Sequence, residues 1–297
     1  MLRPYDLFEN ILREIENGIR EGINTEILAE KYPLSESYLR KLFKFAFKQS
    51  IAGYIRSRKL SASLDELLKT NLNIIDIALN YGFDYEQSYI RTFKREFGIT
   101  PGDLRKTGAI VKVTPPLHLF NAKKALDGVF FGPDIVMVPK FYVIGKRHRL
   151  PSWELAVKTA PLSMDFWDNE RKSIKTSKNL DGIYISLVRN WKCGKGIADF
   201  LTSVPVNNLD NIPEGLSGDT FESSLCARFR YIGKHHYFDL NEERIQPLSD
   251  AISKFRNDDL EKYELSNENI YFEKIDSRQY DGNYYQMEWF TPVVEKV

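Results

Sequence analysis

Apolar residues near the N-terminus recur at helical spacing: Leu7, Ile11, Ile15 and Ile19 stand four apart, and Leu12 fills the same face. The stripe predicts an amphipathic first helix, with Gly18 and Gly22 marking its end. Asn24 or Thr25 then caps a short second helix carrying Ile27, Leu28 and Ala29. Pro33 forces a turn, and Ser35 caps a third helix whose inner stripe is Leu39, Leu42, Phe43 and Phe47. A longer helix follows over Ile51–Lys69, with Tyr54, Ile55, Leu60, Leu64, Leu67 and Leu68 on its apolar face and Arg56, Arg58 and Lys59 on an exposed one. The pattern then restarts. Ile74, Ile75, Ile77, Ala78 and Leu79 form a short helix that stops at Tyr81-Gly82-Phe83, and Asp84 opens another over Glu86–Phe97 that Gly98-Ile99-Thr100-Pro101 ends.

The restart is an internal repeat with an offset of about 50 residues. Leu42-Phe43-Lys44 returns as Thr92-Phe93-Lys94, Ser37-Tyr38-Leu39-Arg40 lies opposite Gln87-Ser88-Tyr89-Ile90, and Leu28-Ala29 opposite Ile77-Ala78. Each copy is a short helix, a tight turn and a second helix with an apolar inner stripe, the order of a helix-turn-helix. Beyond Thr107 the pattern changes. Residues 135–146, 183–188, 227–232, 270–275 and 284–291 carry the β-branched and aromatic residues of strands, helices are expected near residues 163–172 and 242–255, and Asp281-Gly282-Asn283 marks a turn before the last strand. The expected organisation is an all-α N-terminal domain over residues 1–107, a linker over 108–133 and an α+β domain over 134–297.

Length and composition agree with a multidomain globular chain: 297 residues, 42% hydrophobic and 28% charged. No apolar run is long enough for a signal peptide or a membrane span, so a cytoplasmic protein without a membrane partner is expected. The net charge of +1 hides a local asymmetry. Between Lys31 and Leu60 there are eight basic residues (Lys31, Arg40, Lys41, Lys44, Lys48, Arg56, Arg58 and Lys59) against Glu36 alone, a basic patch of the kind that meets phosphates. Cys193 and Cys226 match no metal-ligand spacing and read as reduced thiols, and His235-His236 lacks partners for a metal site. No phosphate loop or catalytic triad stands out; no cofactor, metal or catalytic residue is expected.

Two second helices joined by a long spacer suit successive major grooves, which recur about every 34 Å on one face of a duplex. Here the residues resemble a known family of bacterial transcription regulators, the AraC/XylS family, over Leu7 to Lys106. The resemblance is carried by Ile74-Ile75-Asp76-Ile77-Ala78-Leu79-Asn80-Tyr81-Gly82-Phe83 and Arg91-Thr92-Phe93-Lys94-Arg95-Glu96-Phe97-Gly98-Ile99-Thr100-Pro101, and by Tyr38 to Lys44 and Tyr54 to Leu60 in the first half. It implies sequence-specific binding of double-stranded DNA, with RNA polymerase as a further partner. Base contacts are implied for Ser37, Arg40 and Lys41 in the first unit and for Glu86, Gln87, Ile90 and Arg91 in the second, with Lys44 and Lys94 among the DNA-binding residues. The competing reading makes these solvated helix faces, with Glu86 a helix cap. Two departures fall in the first unit: Pro33 and Lys48 stand where the family has glycine, as Gly82 and Gly98 do in the second. The first unit is therefore expected to supply affinity and the second more of the sequence reading.

The second domain resembles gyrase-inhibitor-like (GyrI-like) effector-binding domains, which follow AraC-type units in a Rob-like architecture. Ile212-Pro213-Glu214-Gly215-Leu216, Ala227-Arg228-Phe229, Tyr271-Phe272-Glu273 and Met287-Glu288-Trp289-Phe290-Thr291-Pro292-Val293 carry it. It implies duplicated strand-helix-strand-strand units around a cleft for an aromatic or cationic small-molecule effector. Glu273 falls at the place of the family's carboxylate, and Trp167, Tyr184, Trp191, Phe229, Tyr285 and Trp289 are candidate walls. Two alternatives stay open: a hydrolase using Glu273 as general base, and a ligand-free interaction module whose own side chains fill the cleft.

Overall fold

A computed structural model describes residues 2–119, 122–125, 128–176, 180–191, 196–234, 263–266, 269–280 and 282–295. The chain divides into two compact units, one holding Asp6–Leu119 and the other Phe120–Val297.

The first unit is helical: α1 (Pro4–Asn17), α2 (Thr25–Glu30), α3 (Glu36–Phe47), α4 (Ile51–Lys69), α5 (Ile74–Asn80), α6 (Glu86–Phe97) and α7 (Pro101–Thr107). Side-chain caps set most of the starts, each oxygen accepting from an otherwise orphaned amide. Asn24 accepts from Ile27 N at 2.9 Å, Ser35 from Tyr38 N at 3.2 Å, Ser50 from Gly53 N at 3.1 Å and Thr100 from Asp103 N at 3.2 Å. The Thr100 cap starts α7, a helix the sequence reading passed over. At α6 the expectation fails: Tyr85, not Asp84, holds the cap position, and its side chain makes no capping bond.

Both helix-turn-helix units lean on α4. Tyr54 near its start meets Phe43 of α3 at 5.9 Å between ring centroids. Leu60, Leu64 and Leu67 share a core with Ile77 and Ala78 of α5, Tyr81 at its C-terminal cap, and Tyr89 and Phe93 of α6. Ser63 Oγ and Tyr89 OH are hydrogen-bonded at 2.8 Å inside that core, and Tyr81 OH donates to Ala62 O at 3.0 Å. Burial of each such leucine or phenylalanine is worth about 1.5–3 kcal/mol.

The expected exposed face of α4 needs correction. Arg58 turns inward to the Glu16 carboxylate, with Nε at 2.9 Å from Oε1 and Nη2 at 2.7 Å from Oε2. Lys59 is only 8% exposed, its ammonium lies beside Gly82, and burial lowers its pKa while Asp84 opposes the shift. Lys31 is paired with Glu14.

The stretch expected as a linker is also partly structured. Arg58 Nη1 donates to Thr114 O at 2.7 Å, Thr114 N to Ser61 Oγ at 2.9 Å and Leu117 N to Tyr54 OH at 2.8 Å, while Val111 packs against the α4–α6 core. Its later part holds strand β1 (Ala122–Ala125) and the start of β2 (Gly128–Val138).

The second unit continues with β3 (Phe141–Pro151), α8 (Leu155–Asp165), β4 (Ile183–Arg189), β5 (Ile197–Val206), β6 (Ser217–Phe221), β7 (Ser224–Gly233), β8 (Tyr263–Leu265), β9 (Tyr271–Asp276) and β10 (Tyr285–Glu295). One antiparallel sheet runs β1-β2-β7-β10-β9-β4-β5-β3-β6, with β8 beside the end of β10. In the stretch β7-β10-β9-β4-β5-β3 the strands of one repeat mirror the other across the β9–β4 seam, with β3-α8-β4-β5 a complete strand-helix-strand-strand unit. The helix expected near residues 242–255 lies outside the described residues, as does Asp281 of the expected turn, where Gly282 has φ +93°.

Residues 135–146 split into the ends of β2 and β3 around Pro139-Lys140, because proline cannot donate to a ladder. The helix expected near residues 163–172 begins earlier, at Leu155, and passes into a π turn at Phe166–Glu170.

The two turns of the repeat are built as the glycine pattern predicts. Gly82 has φ +71°, and a Cβ there would lie 3.1 Å from both Gly22 Cα and Lys59 Nζ. Among the described residues only Lys48, Asn190 and Asn269 are non-glycine with positive φ, so the turn at Pro33 runs without a left-handed residue. Lys48 closes α3 at φ +59° where Gly98 closes α6 at φ +77°. Left-handed backbone costs a non-glycine residue roughly 1 kcal/mol. Lys48→Gly is therefore expected to raise the melting temperature and Gly82→Ala to lower it by roughly 1–3 kcal/mol of stability. Calorimetry checks both signs, and a Gly82→Ala variant as stable as the parent would contradict the close approach.

Candidate functional site

The helices α3 and α6 are both 12 residues long and begin 50 residues apart, each with a glutamate in first place. Leu39 and Phe43 are buried in one and Tyr89 and Phe93 in the other, which turns the opposite stripe outward. On α3 that stripe presents Ser37, Arg40, Lys41 and Lys44, all exposed. On α6 it presents Gln87, Arg91 and Lys94, exposed, with Glu86 and Ile90 half-buried at its flank. Arg40 is ion-paired to Glu36 one turn back, an exposed contact worth little and readily exchanged for a phosphate. Lys41, Lys44, Arg91 and Lys94 make no ion pair among the described residues, and Glu86, the alternative helix cap, makes no hydrogen bond among them. With Arg58, Lys59 and Lys31 held internally or paired, the outward cations of the basic patch lie mainly on α3. The 19 residues of α4 span about 28 Å at 1.5 Å per residue, of the order of one groove repeat.

In the second unit, residues opposite one another on antiparallel strands share a sheet face. One such row crosses six strands: Phe229, Trp289, Glu273, Ser186, Thr202 and Lys146. Lys146 ends it in an ion pair with Glu170 at 2.8 Å. Glu273 is half-buried by exposed area, yet its carboxyl lies deep enough that burial alone pushes its pKa up to about 7, and no hydrogen-bond or ion-pair partner answers it among the described residues. Three neighbouring polar atoms are buried and equally unanswered there: Trp289 Nε1, Thr202 Oγ1 and Ser163 Oγ of α8. Buried polar atoms are normally satisfied, so this band is a place for water or a ligand.

A cavity of about 230 Å³ opens at the C-terminal end of α8, lined by Ser163, Met164, Trp167, Tyr184, Ile275, Asp276, Ser277, Tyr280, Tyr285 and Gln286. The π turn places the Trp167 ring 3.9 Å from that of Tyr184, centroid to centroid, with the Arg171 guanidinium 5.6 Å from the indole. Asp276 at its rim is held below the usual carboxylate range by Arg278 at 2.7 Å, which outweighs burial.

The seven expected effector residues therefore do not form one wall. Trp167, Tyr184 and Tyr285 line the cavity; Glu273 sits on the same sheet face without lining it. Trp191 and Trp289 pack on Tyr271, and Phe229 is a core residue at 1% exposure. Sequence reading missed Ser163, Thr202 and Tyr280, because strand register and helix placement, not residue type, bring them to the site.

Among the described residues no cluster of three His, Cys, Asp or Glu could hold a metal, and no helix is long and apolar enough to cross a membrane. Cys226 is buried and not part of a disulfide, while Cys193, His235 and His236 lie outside the described residues.

Paired helix-turn-helix units on a shared helix define a DNA-binding transcription regulator. Comparison with known proteins gives the family. Residues 28–107 match the model described as "Helix-turn-helix domain". The regulatory protein SoxS of Salmonella typhimurium is 33% identical over 99 residues, covering 33% of this chain and 92% of SoxS. The chain belongs to the AraC family of transcription regulators. The right origin-binding protein of Escherichia coli is 33% identical over 115 residues, 38% of this chain and 40% of that one. A solved integron cassette protein of Vibrio cholerae aligns with TM-score 0.40 and 16% identity, over 56% of this chain and 97% of its own.

The raised pKa of Glu273 makes a stability prediction. The folded state holds the proton more tightly than the unfolded chain, so this stabilisation is full at low pH and is lost as pH rises through about 7. Glu273→Gln should match the parent near pH 5 and exceed it at pH 8, by at most ~2 kcal/mol once partial exposure is allowed for. Superimposable melting temperature profiles from pH 5 to 8 would rule out the buried carboxyl.

Proposed function

We propose that this regulator is a one-component sensor: its first unit binds a promoter site through two major grooves, and its second binds a small aromatic or cationic effector. Ser37, Arg40 and Lys41 on α3 and Glu86, Gln87, Ile90 and Arg91 on α6 meet base edges, while Lys44 and Lys94 neutralise phosphates. The effector's cationic group lies against Glu273 and its flat part against Trp167, Tyr184 and Tyr285. The observation that carries the sensing half is a partnerless buried carboxyl on the same sheet face as an aromatic cavity. Residues 111–117, which lead out of the first unit, are bonded to α4, so a ligand that favours one arrangement of this segment acts on the helix both DNA-reading units share. RNA polymerase is the partner through which the bound regulator acts.

Two measurements test the halves separately. Footprinting on a selected promoter should show two protected major grooves, both lost in the Arg40→Ala, Arg91→Ala double variant; unchanged affinity for a specific site would sink the DNA-contact assignment. For sensing, benzyltrimethylammonium should quench tryptophan fluorescence of the full chain, more tightly at pH 8 than at pH 6, with Kd raised at least tenfold in both Glu273→Gln and Trp167→Ala. Equal Kd in all three proteins would remove the site. A carboxyl near neutrality also suits a general base, and turnover of a bound ester abolished by Glu273→Gln would move the second unit to the hydrolase reading.

A further inference from the structure

We infer that Glu86 and Ile90 set the base preference of the second helix-turn-helix, Glu86 selecting the amino group of a cytosine and Ile90 the methyl group of a thymine one or two base pairs away. The inference rests on reading α6 as a recognition helix.

The two recognition helices share their leading glutamate but differ in the residue one turn on, Arg40 in α3 and Ile90 in α6. In α3 the leading glutamate is occupied: Arg40, four residues on, donates to Glu36 Oε1 through Nε at 3.1 Å and through Nη2. In α6 the residue four on is Ile90, which offers no charge. Glu86 has no hydrogen bond or ion pair among the described residues, and the Tyr85 side chain in front of it makes no capping bond. Residues 86 and 90 stand one helical turn apart on the same stripe, beside Gln87 and Arg91 and away from the buried Tyr89 and Phe93.

A free carboxylate on a DNA-facing helix is a liability, because duplex DNA carries one negative charge per roughly 1.7 Å of its axis. It becomes favourable only against a hydrogen-bond donor in the groove. Cytosine presents the N4 amino group alone, whereas adenine sets an N7 acceptor beside its amino group and guanine presents only acceptors on its major-groove edge. Cytosine is thus the base Glu86 tolerates. Ile90 has no polar atom to offer, and the C5 methyl of thymine is the one apolar group in the major groove. Four residues of helix advance about 6 Å, which is one to two steps of about 3.4 Å. The first helix-turn-helix presents an opposite chemistry: with Glu36 held by Arg40, Lys41 and Lys44 remain as exposed cations, which attract the duplex without rejecting a base.

The test is selection of sites from a randomised duplex pool by the full-length protein, its Glu86→Gln variant and, as a control, Glu36→Gln. The parent should enrich a cytosine with a thymine one or two pairs away. Glu86→Gln should move that cytosine towards adenine, whose N6 and N7 suit an amide, and should bind random DNA more tightly, by roughly tenfold at low salt. Glu36→Gln should leave the cytosine in place. For Ile90, replacing the thymine with deoxyuridine removes only the methyl group, so the parent protein itself should lose about fourfold in affinity, as burial of one methyl implies. A parent that enriches no sequence would overturn the reading of α6 as a recognition helix. A parent that enriches a site whose base preferences survive Glu86→Gln, and which binds the deoxyuridine duplex equally well, would overturn this inference alone.

Discussion

The first unit depends on one helix being a wall of two cores. Tyr54 of α4 serves the α3 side, while Leu60, Leu64 and Leu67 serve the α5–α6 side, so neither half can be repacked without moving the other. This explains why Arg58 and Lys59 fold inward. A helix buried along two stripes has little surface left, and Arg58 satisfies the Glu16 carboxylate and the Thr114 carbonyl at once. Removing either partner would strand a half-buried charge, which typically costs more than the pair contributes. A basic residue counted on a sequence is therefore not a basic residue on a surface.

The second unit depends on a different constraint, the strict alternation of a sheet. One face carries aromatic packing among Phe141, Phe221, Phe272 and Phe290. The other must carry Glu273, Ser186 and Thr202 in one row, because register places them there once the strands pair. Apolar clusters lie on both sides of that row, with Phe200 and Tyr271 in one and Ile144 and Val204 in the other. A polar band between two apolar ones has a cost in stability unless something fills it, and its orphaned atoms are the physical content of the sensing proposal.

Much of the first unit was legible because its signals are local. Caps, glycines and the stripe of four lie within a few residues of the structure they set, and Lys48 could be read as an irregular C-cap from its place opposite Gly98 alone. The α7 helix escaped because its proline was read as a stop when, after Thr100, it is also a start. The sheet was less legible. Strand β5 is buried on both sides and so lacks alternation, and β6, Ser-Gly-Asp-Thr-Phe, has the composition of a loop and is a strand because β3 pairs with it. Of the aromatic residues singled out by type, Trp167 and Tyr184 do line the cavity of the second unit, but Phe229 shows the limit of that signal. An aromatic ring on the inner face of a strand is as readily core as wall.

The size of any signal passing between the units can be bounded from the segment that leaves the first one. Three hydrogen bonds tie residues 114–117 to Tyr54, Arg58 and Ser61. At about 1 kcal/mol each, somewhat more where the guanidinium is involved, releasing the segment costs roughly 3–4 kcal/mol. Typical coupling between sites is about 1–3 kcal/mol. On the sensing proposal, a ligand that releases the whole segment must therefore supply a differential affinity at or above the top of that range. Because the segment grips α4 and not a recognition helix, the sensing proposal implies an effect on both helix-turn-helix units together, a change of overall affinity rather than of base choice.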